Sequence, residues 1–462
     1  MVLVLTMVVL QSISFANYAL TTKTTNIIYG SAPYLTFDGG RTRVTNTEAL
    51  LGISLSDGRT FTPTTNDSSF DNPIVLPVEG QSFNDIGMVV PTGMVVPTSP
   101  YYNYIQLSSL ISEPYNCWGD DDGDGQGIDG ITATGYLRLS IVDKWDQPIA
   151  RNEVLTICKE PYKLTLSTDS FGRLTTRYGV PNESRFTAGS ASYYIKPKVI
   201  SSPVVCFARP NLDTYFNYDF RANWNPRKGF LTQSVTPSSY GSNFPTTGAN
   251  NLYFDLDIVG NNQALSWAPV SHGGIKATMT NSTSTSVRVT LTGPVATPLQ
   301  WQSENPGEID RPSLPQSFEL VGRDSSGNAV LKYGFELKQW FVNRGTYISD
   351  YSSILSWCNN IGYRLPMVKD LTNAYDSGLG LVVATPRGSG NLTRRYLGAG
   401  FFTEWGVMYD YTGANFIVNS YRVSDTSRSC RTGTVSVGSK YGSVGCSNLS
   451  WYKVIAGACV YP

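Results

Sequence analysis

The chain has 462 residues, which is enough material for about three domains. Its 35 basic and 35 acidic side chains cancel, so nucleic acid is not expected as the main partner, because neutralising phosphate groups requires an excess of Lys and Arg. The only histidine, His272, rules out a multi-histidine metal site and allows one histidine-based catalytic triad at most.

Residues 1–16, MVLVLTMVVLQSISFA, are predicted to be a secretory signal peptide. Ser14 and Ala16 follow an apolar run and give a small-x-small cleavage pattern before Asn17. The run is too short to cross a bilayer, and no other stretch approaches transmembrane length. We therefore expect an exported protein with no transmembrane span in the mature chain. The alternatives are a misplaced start codon and a strand of a longer upstream chain.

Most of residues 25–335 is predicted to form short strands. Apolar and polar side chains alternate with a period of two, and Gly, Asp, Asn and Pro separate the runs. This pattern predicts antiparallel β-sandwiches of the Ig-like kind. The predicted strands lie at 136–143, 152–158, 162–169, 173–179, 251–259, 286–293, 317–324 and 329–341.

Residues 210–250 have few alternating runs and many turn formers, which is typical of a long ordered loop or of the seam between two β-domains. We accordingly divide the chain after the signal peptide into three regions. They are a β-sandwich region at 17–205, a second β-sandwich region at 206–335 and an α+β domain at 336–462.

The C-terminal region has the pattern of a small α+β domain. Asp350 is placed as the N-cap of a helix over 351–360, and Gly362 as the residue that follows its end. Pro366 precedes a second predicted helix over 367–375. Three β-runs are predicted after it, at 400–411, 416–425 and 451–461.

An acidic segment, WGDDDGDGQGIDG at 118–130, has the spacing of calcium-binding loops, in which alternate side chains converge on the cation and glycine permits a sharp turn. The position that usually carries the closing carboxylate holds Ile131. The two interpretations are a structural Ca²⁺ ion and a solvated acidic turn. The predicted calcium ligands are Asp120, Asp122, Asp124 and Asp129.

The seven cysteines of an exported chain are expected to pair and to leave one over. None has the spacing of zinc ligands. Cys158 and Cys206 each follow a β-run, so we expect them to form a disulfide. Cys117 is then the odd thiol, and its acidic neighbours make it an unsuitable nucleophile because they raise the pKa of a thiol.

The segment WCNNIGYRLPMVKDL (357–371), together with the terminal GACVY (457–461), resembles a C-type-lectin-like domain. In that fold the first cysteine, on a helix, joins the last, on the final strand, and two others clip the long loop between them. The resemblance implies the disulfides Cys358–Cys459 and Cys430–Cys446.

Three classes of protein that have this fold must be distinguished. Calcium-dependent sugar-binding lectins carry Glu-Pro-Asn or Gln-Pro-Asp followed by Trp-Asn-Asp, and neither pattern occurs between Cys358 and Cys459. Formylglycine-generating-type enzymes continue from a similar turn into an acidic, Trp-rich helix, whereas this chain continues into MVKDLTNAY. The resemblance that remains is to the receptor-binding tip of intimin/invasin-like bacterial adhesins.

Two further stretches favour the same family. The segments at 137–158 and 166–179 resemble bacterial Ig-like repeats, and the tract from YGSAPYLTFDGGRT to KQWFVNRGTY resembles the adhesion repeat of enterobacterial proteins of the intimin/invasin and Salmonella Rat type. The implied fold is mainly β, with tandem Ig-like antiparallel β-sandwich domains followed by a C-terminal α+β C-type-lectin-like domain. The implied location is the extracellular space or the bacterial outer membrane.

Basic residues exceed acidic residues in the C-terminal region, with eleven Lys or Arg against six Asp or Glu between Phe341 and Pro462. Several lie near tyrosines in the loop-rich part, and Arg and Tyr are favoured at contact surfaces. A solvated loop face is the alternative; a true binding surface would select an acidic protein or an anionic glycan. The candidate binding residues are Arg387, Arg394, Arg395, Tyr396, Tyr421, Arg422, Arg428 and Arg431.

Together these features predict a non-enzymatic adhesin that needs no cofactor and binds a host or neighbouring-cell surface through its C-terminal tip. Two alternatives stay open. One is a carbohydrate-binding or carbohydrate-active protein that uses aromatic platforms, and the other is a structural stalk segment of a larger adhesin.

Overall fold

The computed structural model describes residues 29–94, 104–123, 130–169, 171–198, 202–212, 223–431, 433–447 and 455–462. The predicted signal peptide at 1–16 lies outside these ranges. Strands make up 36% of the protein and helices 11%, in several antiparallel sheets, which confirms the mainly β class. Within the described ranges, no helix has the length and apolar character needed to cross a membrane. The chain divides into two compact units, Met1–Val199 and Ile200–Pro462.

In the first unit, a five-stranded and a three-stranded sheet contribute to one apolar core. Its helices are α1 (Thr47–Leu50) and α2 (Leu107–Ile111). Its strands are β1 (Tyr34–Leu35), β2 (Ile53–Ser54), β3 (Thr60–Phe61), β4 (Ile74–Val75), β5 (Tyr104–Gln106), β6 (Trp118–Gly119), β7 (Thr132–Thr134), β8 (Tyr136–Val142), β9 (Tyr162–Thr168), β10 (Gly172–Thr175), β11 (Glu183–Phe186) and β12 (Gly189–Lys196).

The larger sheet has the order β4-β12-β9-β8-β5, the smaller one β11-β10-β7, and β1-β6 and β2-β3 form separate ladders. In β9 the side chains of Tyr162, Leu164 and Leu166 are buried, and the residues between them are partly exposed. That alternation places one face of the sheet on the core, as the period-two sequence pattern predicts.

The strand predicted over 152–158 is wrong. These residues form turns, and Val154 contributes only an isolated bridge to Ser82. The hydroxyl of Tyr162 accepts a hydrogen bond from Thr156 N at 2.9 Å and donates one to Thr156 O at 3.2 Å. Because one side chain satisfies both backbone groups of Thr156, this residue needs no partner on a neighbouring strand.

In the second unit, three sheets surround one continuous core. Its helices are α3 (Pro298–Gln302), α4 (Tyr351–Asn360), α5 (Val368–Leu371) and α6 (Phe401–Trp405). Its strands are β13 (Val204–Arg209), β14 (Trp224–Asn225), β15 (Gly229–Leu231), β16 (Thr247–Ala249), β17 (Tyr253–Val259), β18 (Ser266–Trp267), β19 (Val270–His272), β20 (Ile275–Thr280), β21 (Ser286–Thr292), β22 (Gln316–Arg323), β23 (Ala329–Leu337), β24 (Gln339–Ser349), β25 (Ser420–Thr426), β26 (Thr434–Gly438), β27 (Val444–Cys446) and β28 (Ile455–Tyr461).

The sheet orders are β14-β15-β13-β17-β21-β20-β19, β18-β22-β23 and β16-β24-β28-β25-β26-β27. The predicted boundary between residues 335 and 336 falls inside β23. Moreover, β16 pairs with β24 in parallel, so a strand from 206–335 belongs to the sheet of the C-terminal region. The two predicted regions therefore share a sheet and a core.

Two predictions for the C-terminal elements need correction. The second helix is shorter than predicted. Helix α5 ends at Leu371, and the backbone beyond it bonds to a loop, where Ala384 N donates to Thr372 O at 3.1 Å and Tyr375 N donates to Gly390 O at 2.8 Å. The β-run predicted over 400–411 is instead helix α6 and a 3₁₀ turn, Met408–Asp410. The aromatic side chains of α6 are buried, and a segment covered this completely shows no alternation that would separate helix from strand.

Candidate functional site

Helix α4 has the start and the end that the sequence predicts. The carboxylate of Asp350 accepts a hydrogen bond from Ser353 N at 2.8 Å, and this bond holds the pKa of Asp350 below its ordinary value. Gly362 follows the helix with φ of +84°, in the left-handed region that favours glycine. The helix therefore presents its cysteine to the sheet in a fixed position.

Two disulfides tie the C-terminal region together. One joins α4 to β28, and the other joins the turn after β25 to β27. They are Cys358–Cys459 and Cys430–Cys446, the pairings that the lectin-like resemblance implies. Cys158 and Cys206 are also disulfide-bonded, whereas Cys117 is a free, buried cysteine.

The Gly-Tyr-Arg-Leu-Pro turn is fixed by one ion pair. Arg364 Nη1 donates to Asp370 at 2.5 Å, and the same carboxylate accepts bonds from Met367 N at 2.7 Å and Gln339 Nε2 at 3.1 Å. Burial raises the pKa of Asp370, but these hydrogen bonds outweigh burial and the net pKa is lowered. The main chain of Arg364 also bonds in both directions to Val460. This network attaches the turn to β28.

Asn373 organises the loop that follows. Its side chain is fully buried, and its Nδ2 donates to Pro386 O at 2.9 Å and to Arg394 O at 2.8 Å. Its Oδ1 accepts from Arg394 N at 3.0 Å, and its carbonyl oxygen accepts from Gly388 N at 2.8 Å. One buried amide thus replaces regular secondary structure as the support of this loop.

The turn at 427–431 packs on a neighbouring loop. Ser427 Oγ donates to Leu379 O at 2.8 Å, and Ser429 Oγ donates to Gly378 O at 2.7 Å. The Cys430–Cys446 disulfide holds the other side of the turn. The turn is therefore fixed from two directions.

These loops form one continuous surface. Tyr375 N donates to Gly390 O at 2.8 Å, and Thr393 N donates to Tyr441 O at 3.1 Å. We call residues 373–396, 427–431 and 440–444 the loop face. It combines loops distant in sequence on the frame provided by α4, β27 and β28.

The eight predicted binding residues fall into three groups by exposure. Arg387, Arg428 and Arg431 are exposed, and Arg394 and Tyr396 are half-buried. All five lie in or at the edge of the loop face. The other three, Arg395, Tyr421 and Arg422, are buried, so the side chain of Arg395 is not exposed although its segment belongs to the loop face.

Arg395 supports the core instead. Its guanidinium lies 4.4 Å from the ring centroid of Trp224, and its Nη2 donates to Asn211 O at 2.8 Å. Stacking on an indole and bonding to a carbonyl explain how a buried arginine is tolerated. The sequence shows Arg394 and Arg395 as equivalent neighbours, but in the structure Arg394 is half-buried and Arg395 is buried.

Tyr421 and Arg422 lie on β25, both of whose faces are covered at this point. The Tyr421 hydroxyl accepts a hydrogen bond from Ile417 N at 3.0 Å, and burial raises its pKa. The Arg422 guanidinium lies 5.7 Å from the ring centroid of Tyr351, and burial lowers its pKa. A polar residue in a strand predicts an exposed side chain only where one face of the sheet meets water. Both faces of the sheet are covered at this point of β25, so the prediction fails.

Glu404 was not singled out from the sequence, although it accepts more hydrogen bonds than any other carboxylate in the described part of the unit. It is fully buried and accepts five hydrogen bonds, from the backbone N and hydroxyl groups of Thr246 and Thr247 and from Gly398 N. Burial raises the pKa of Glu404, and these donors oppose that rise. Its partners lie 158 and 157 residues away, so no local sequence signal indicates the cluster.

Half of the predicted calcium ligands lie outside the described residues, namely Asp124 and Asp129. Asp122 accepts a hydrogen bond from Ser31 N at 2.6 Å, and Asp120 borders a cleft described below. In the ranges that the structure describes, no three His, Cys, Asp or Glu side chains are grouped to hold a metal. The calcium site stays a prediction.

No protein-family model matches the sequence, and a search of curated proteins finds no match. Among solved structures, the chain is similar to invasin, described as a bacterial integrin-binding protein, with 13% identity and a TM-score of 0.35. The alignment covers 72% of this chain and 50% of the other, so the chain spans about half the length of that structure.

Two intimin structures are similar as well. One is a C-terminal 282-residue intimin fragment bound to the intimin-binding domain of its translocated receptor, with 11% identity, a TM-score of 0.32 and coverage of 73% of this chain and 100% of that one. The other is an intimin fragment from enteropathogenic E. coli, with 15% identity, a TM-score of 0.26 and coverage of 47% and 89%. These identities and TM-scores are too low to assign a function to this chain.

Proposed function

We propose that the chain is an exported, non-enzymatic adhesin whose loop face binds an acidic protein or an anionic glycan on a host or neighbouring cell. The observation that carries this proposal is the set of exposed arginines on loops held by buried bonds. Export is supported by the disulfides, because such bonds form and persist in oxidising compartments.

The exposed arginines are available to a partner. The Arg387 guanidinium lies 4.6 Å from the ring centroid of Tyr375, which leaves its edge of N–H donors for a ligand. Arg428 and Arg431 are exposed on the turn at 427–431, so their guanidinium groups are open to solvent. Guanidinium groups of this kind bind carboxylate, sulfate and phosphate groups through paired donors.

The loop face is also ordered before any partner arrives. Asn373 holds the 386–394 segment, and the serine contacts and a disulfide hold the 427–431 turn. Ordering loops in advance lowers the conformational entropy lost on association. A rigid scaffold that carries irregular loops is where binding residues usually lie.

The test requires the full chain, because a fragment that begins at residue 336 lacks β16 and the threonine partners of Glu404. The chain is made in an oxidising compartment, and its binding to epithelial cells and to an array of neutral, sialylated and sulfated glycans is measured with and without chelator. We expect saturable binding that is insensitive to chelator.

The matched variants separate the loop face from charge in general. R387A/R428A/R431A removes three exposed arginines of the loop face, and R227A/K276A/R323A removes three exposed cations elsewhere in the same unit. The first should weaken binding at least about tenfold, which is about 1.4 kcal/mol, and the second should leave it unchanged. Equal loss in both variants, or binding abolished by chelator, would contradict the proposal.

A further inference from the structure

The first unit contains a cleft of about 570 Å³ that borders the acidic segment. The β1–β6 ladder forms its base: Tyr34 lies opposite Gly119, Leu35 lies opposite Trp118, and Thr36 N donates to Cys117 O at 3.1 Å beyond the ladder. Among the residues that line it are Tyr34, Phe37, Tyr115, Asn116, Trp118 and Asp120.

One aromatic wall of the cleft is fixed in place. A Cβ atom on Gly119 would lie 2.5 Å from Tyr34 Cε2, so only glycine lets this ring lie against the strand. The Tyr34 hydroxyl donates to Asp121 Oδ1 at 3.2 Å, and the Arg43 guanidinium lies 4.8 Å from the ring centroid. Arg43 also pairs with Asp121. The wall is therefore rigid before a ligand binds.

The remaining lining combines apolar and polar groups. Phe37, Tyr115 and Trp118 are half-buried, so each ring keeps part of its surface open. Asn116 and Asp120 add an amide and a carboxylate at the same cleft. Aromatic walls with a few polar groups are typical of ligand sites of this volume. They suit a ligand with apolar C–H faces and a rim of hydroxyl groups.

The charge at the cleft restricts the ligand further. Asp120 lines it, Asp121 and Asp122 follow directly in the chain, and the one nearby arginine that contacts the wall, Arg43, is paired with Asp121. A carboxylated or sulfated ligand would meet like charge here. Cys117 also lines the cleft, and burial raises the pKa of its thiol, so it is uncharged and unsuited to attack a ligand.

We propose that this cleft is a binding site for a neutral saccharide, held by stacking on its aromatic side chains and by hydrogen bonds to Asn116 and Asp120. The site is separate in residues and in chemistry from the loop face. It would let the protein recognise an uncharged glycan in addition to the acidic partner proposed above.

Titration of the full chain with β-linked oligomers of glucose, N-acetylglucosamine and galactose tests the proposal, with sialylated and uronate oligomers and choline as comparison ligands. We expect a neutral oligomer to bind and the anionic ligands and choline not to bind. W118A and Y115A should each weaken that binding about tenfold. W145A, which removes a half-buried tryptophan outside the cleft, should leave it unchanged.

Cys117 supplies an independent readout, because the other six cysteines are disulfide-bonded. The bound oligomer should slow alkylation of this thiol, and W118A should abolish that protection. Slow alkylation of ligand-free W118A would show that the variant is folded. If W118A does not fold, D120N tests the same cleft without removal of an aromatic ring. This variant should also weaken binding of the neutral oligomer.

The proposal is overturned if no neutral oligomer binds, or if only anionic ligands or choline bind. It is also overturned if a neutral oligomer binds equally to the wild type, W118A, Y115A and D120N. Loss of loop-face binding in R387A/R428A/R431A would bear only on the adhesin proposal, so the two failures are distinguishable.

Discussion

The cleft and the loop face use aromatic and charged residues in opposite ways. In the cleft the rings line a concavity, the arginine is paired, and carboxylates lie at the edge. On the loop face Arg387, Arg428 and Arg431 are exposed, and the ring of Tyr375 supports the guanidinium of Arg387 from one side. The first arrangement encloses a small uncharged molecule, whereas the second contacts a broad acidic surface.

The comparison shows that burial and shape, rather than residue type, decide what such residues do. Arg395 and Arg387 both stack on aromatic rings, at 4.4 Å and 4.6 Å. Arg395 is buried and contributes to the core, while Arg387 is exposed and available to a partner. The two arginines differ in burial because the backbone places their side chains in different surroundings.

The largest effect on stability is expected from substitution of Glu404, whose hydrogen-bond partners lie in the same unit as the loop face. Glu404→Ala would leave the buried backbone N–H groups of Thr246 and Thr247, the N–H of Gly398 and two threonine hydroxyls without their acceptor, and should lower the free energy of unfolding by about 3–5 kcal/mol. Chemical denaturation followed by tryptophan fluorescence measures this loss.

Every residue that lines the cleft lies between Tyr34 and Asp120, so saccharide binding should survive in Glu404→Ala. Loss of both binding activities in that variant would show that the two surfaces are not independent.

Removal of the Cys430–Cys446 disulfide should come next in size. The bond closes a loop with a sequence separation of 16, for which chain entropy predicts about 3 kcal/mol. The double variant C430A/C446A should lose stability and bind the acidic partner more weakly, because the turn that carries Arg428 and Arg431 is released on one side.

C117A is the matched control for that disulfide variant, since it removes the free buried cysteine of the cleft. It should change stability by about 1 kcal/mol and leave loop-face binding intact. Unchanged binding in C430A/C446A would show that the turn needs no covalent support.

Acidification should weaken the unit that carries the loop face through Asp370. The folded-state pKa of Asp370 is lowered, so the stability it contributes is present above the ordinary pKa of 3.8 and is lost as pH falls through the folded value. Asp370→Asn should be about 1–3 kcal/mol less stable than the wild type at neutral pH. That difference should shrink on acidification, and unfolding curves from pH 7 to pH 2 would reveal it.

A difference that stays constant down to the lowest pH would contradict the assignment of Asp370 as an ionised partner of Arg364. Arg364→Lys is a useful companion variant, because it keeps the charge but loses the geometry of the guanidinium.

Salt concentration should have the smallest effect on binding of the changes considered, but its effect should differ between the loop face and the cleft. Binding of an acidic partner to the loop face should weaken several-fold between low and physiological salt, since the exposed arginines interact through solvent. Binding of a neutral saccharide to the cleft should stay constant. Equal salt dependence at both surfaces would remove the distinction between them.

Local signals in the sequence predict the framework well. The Asp350 cap and Gly362 fix α4, and alternation fixes strands such as β9 and β17. These features depend on residues within a few positions of each other. The lectin-like resemblance adds Cys358–Cys459 across a separation of 101 residues, which no local rule would supply.

Contacts between distant segments account for what the sequence did not predict. Thr246 and Thr247 bond to Glu404, and β16 pairs with β24, so a region predicted as separate joins the C-terminal sheet. Exposure of individual arginines depends on the same long-range packing. A single sequence contains the composition of the loop face but not the direction in which each side chain points.

Charge reversal on the loop face is the sharpest test of binding by its exposed arginines. The full chain, R387E/R428E/R431E and the control R227E/K276E/R323E are titrated on epithelial cells at physiological salt, with thermal unfolding recorded for all three. We expect the loop-face variant to lose saturable binding while keeping its stability, and the control, with the same change in net charge, to bind like the wild type. Undiminished binding by the loop-face variant would contradict it.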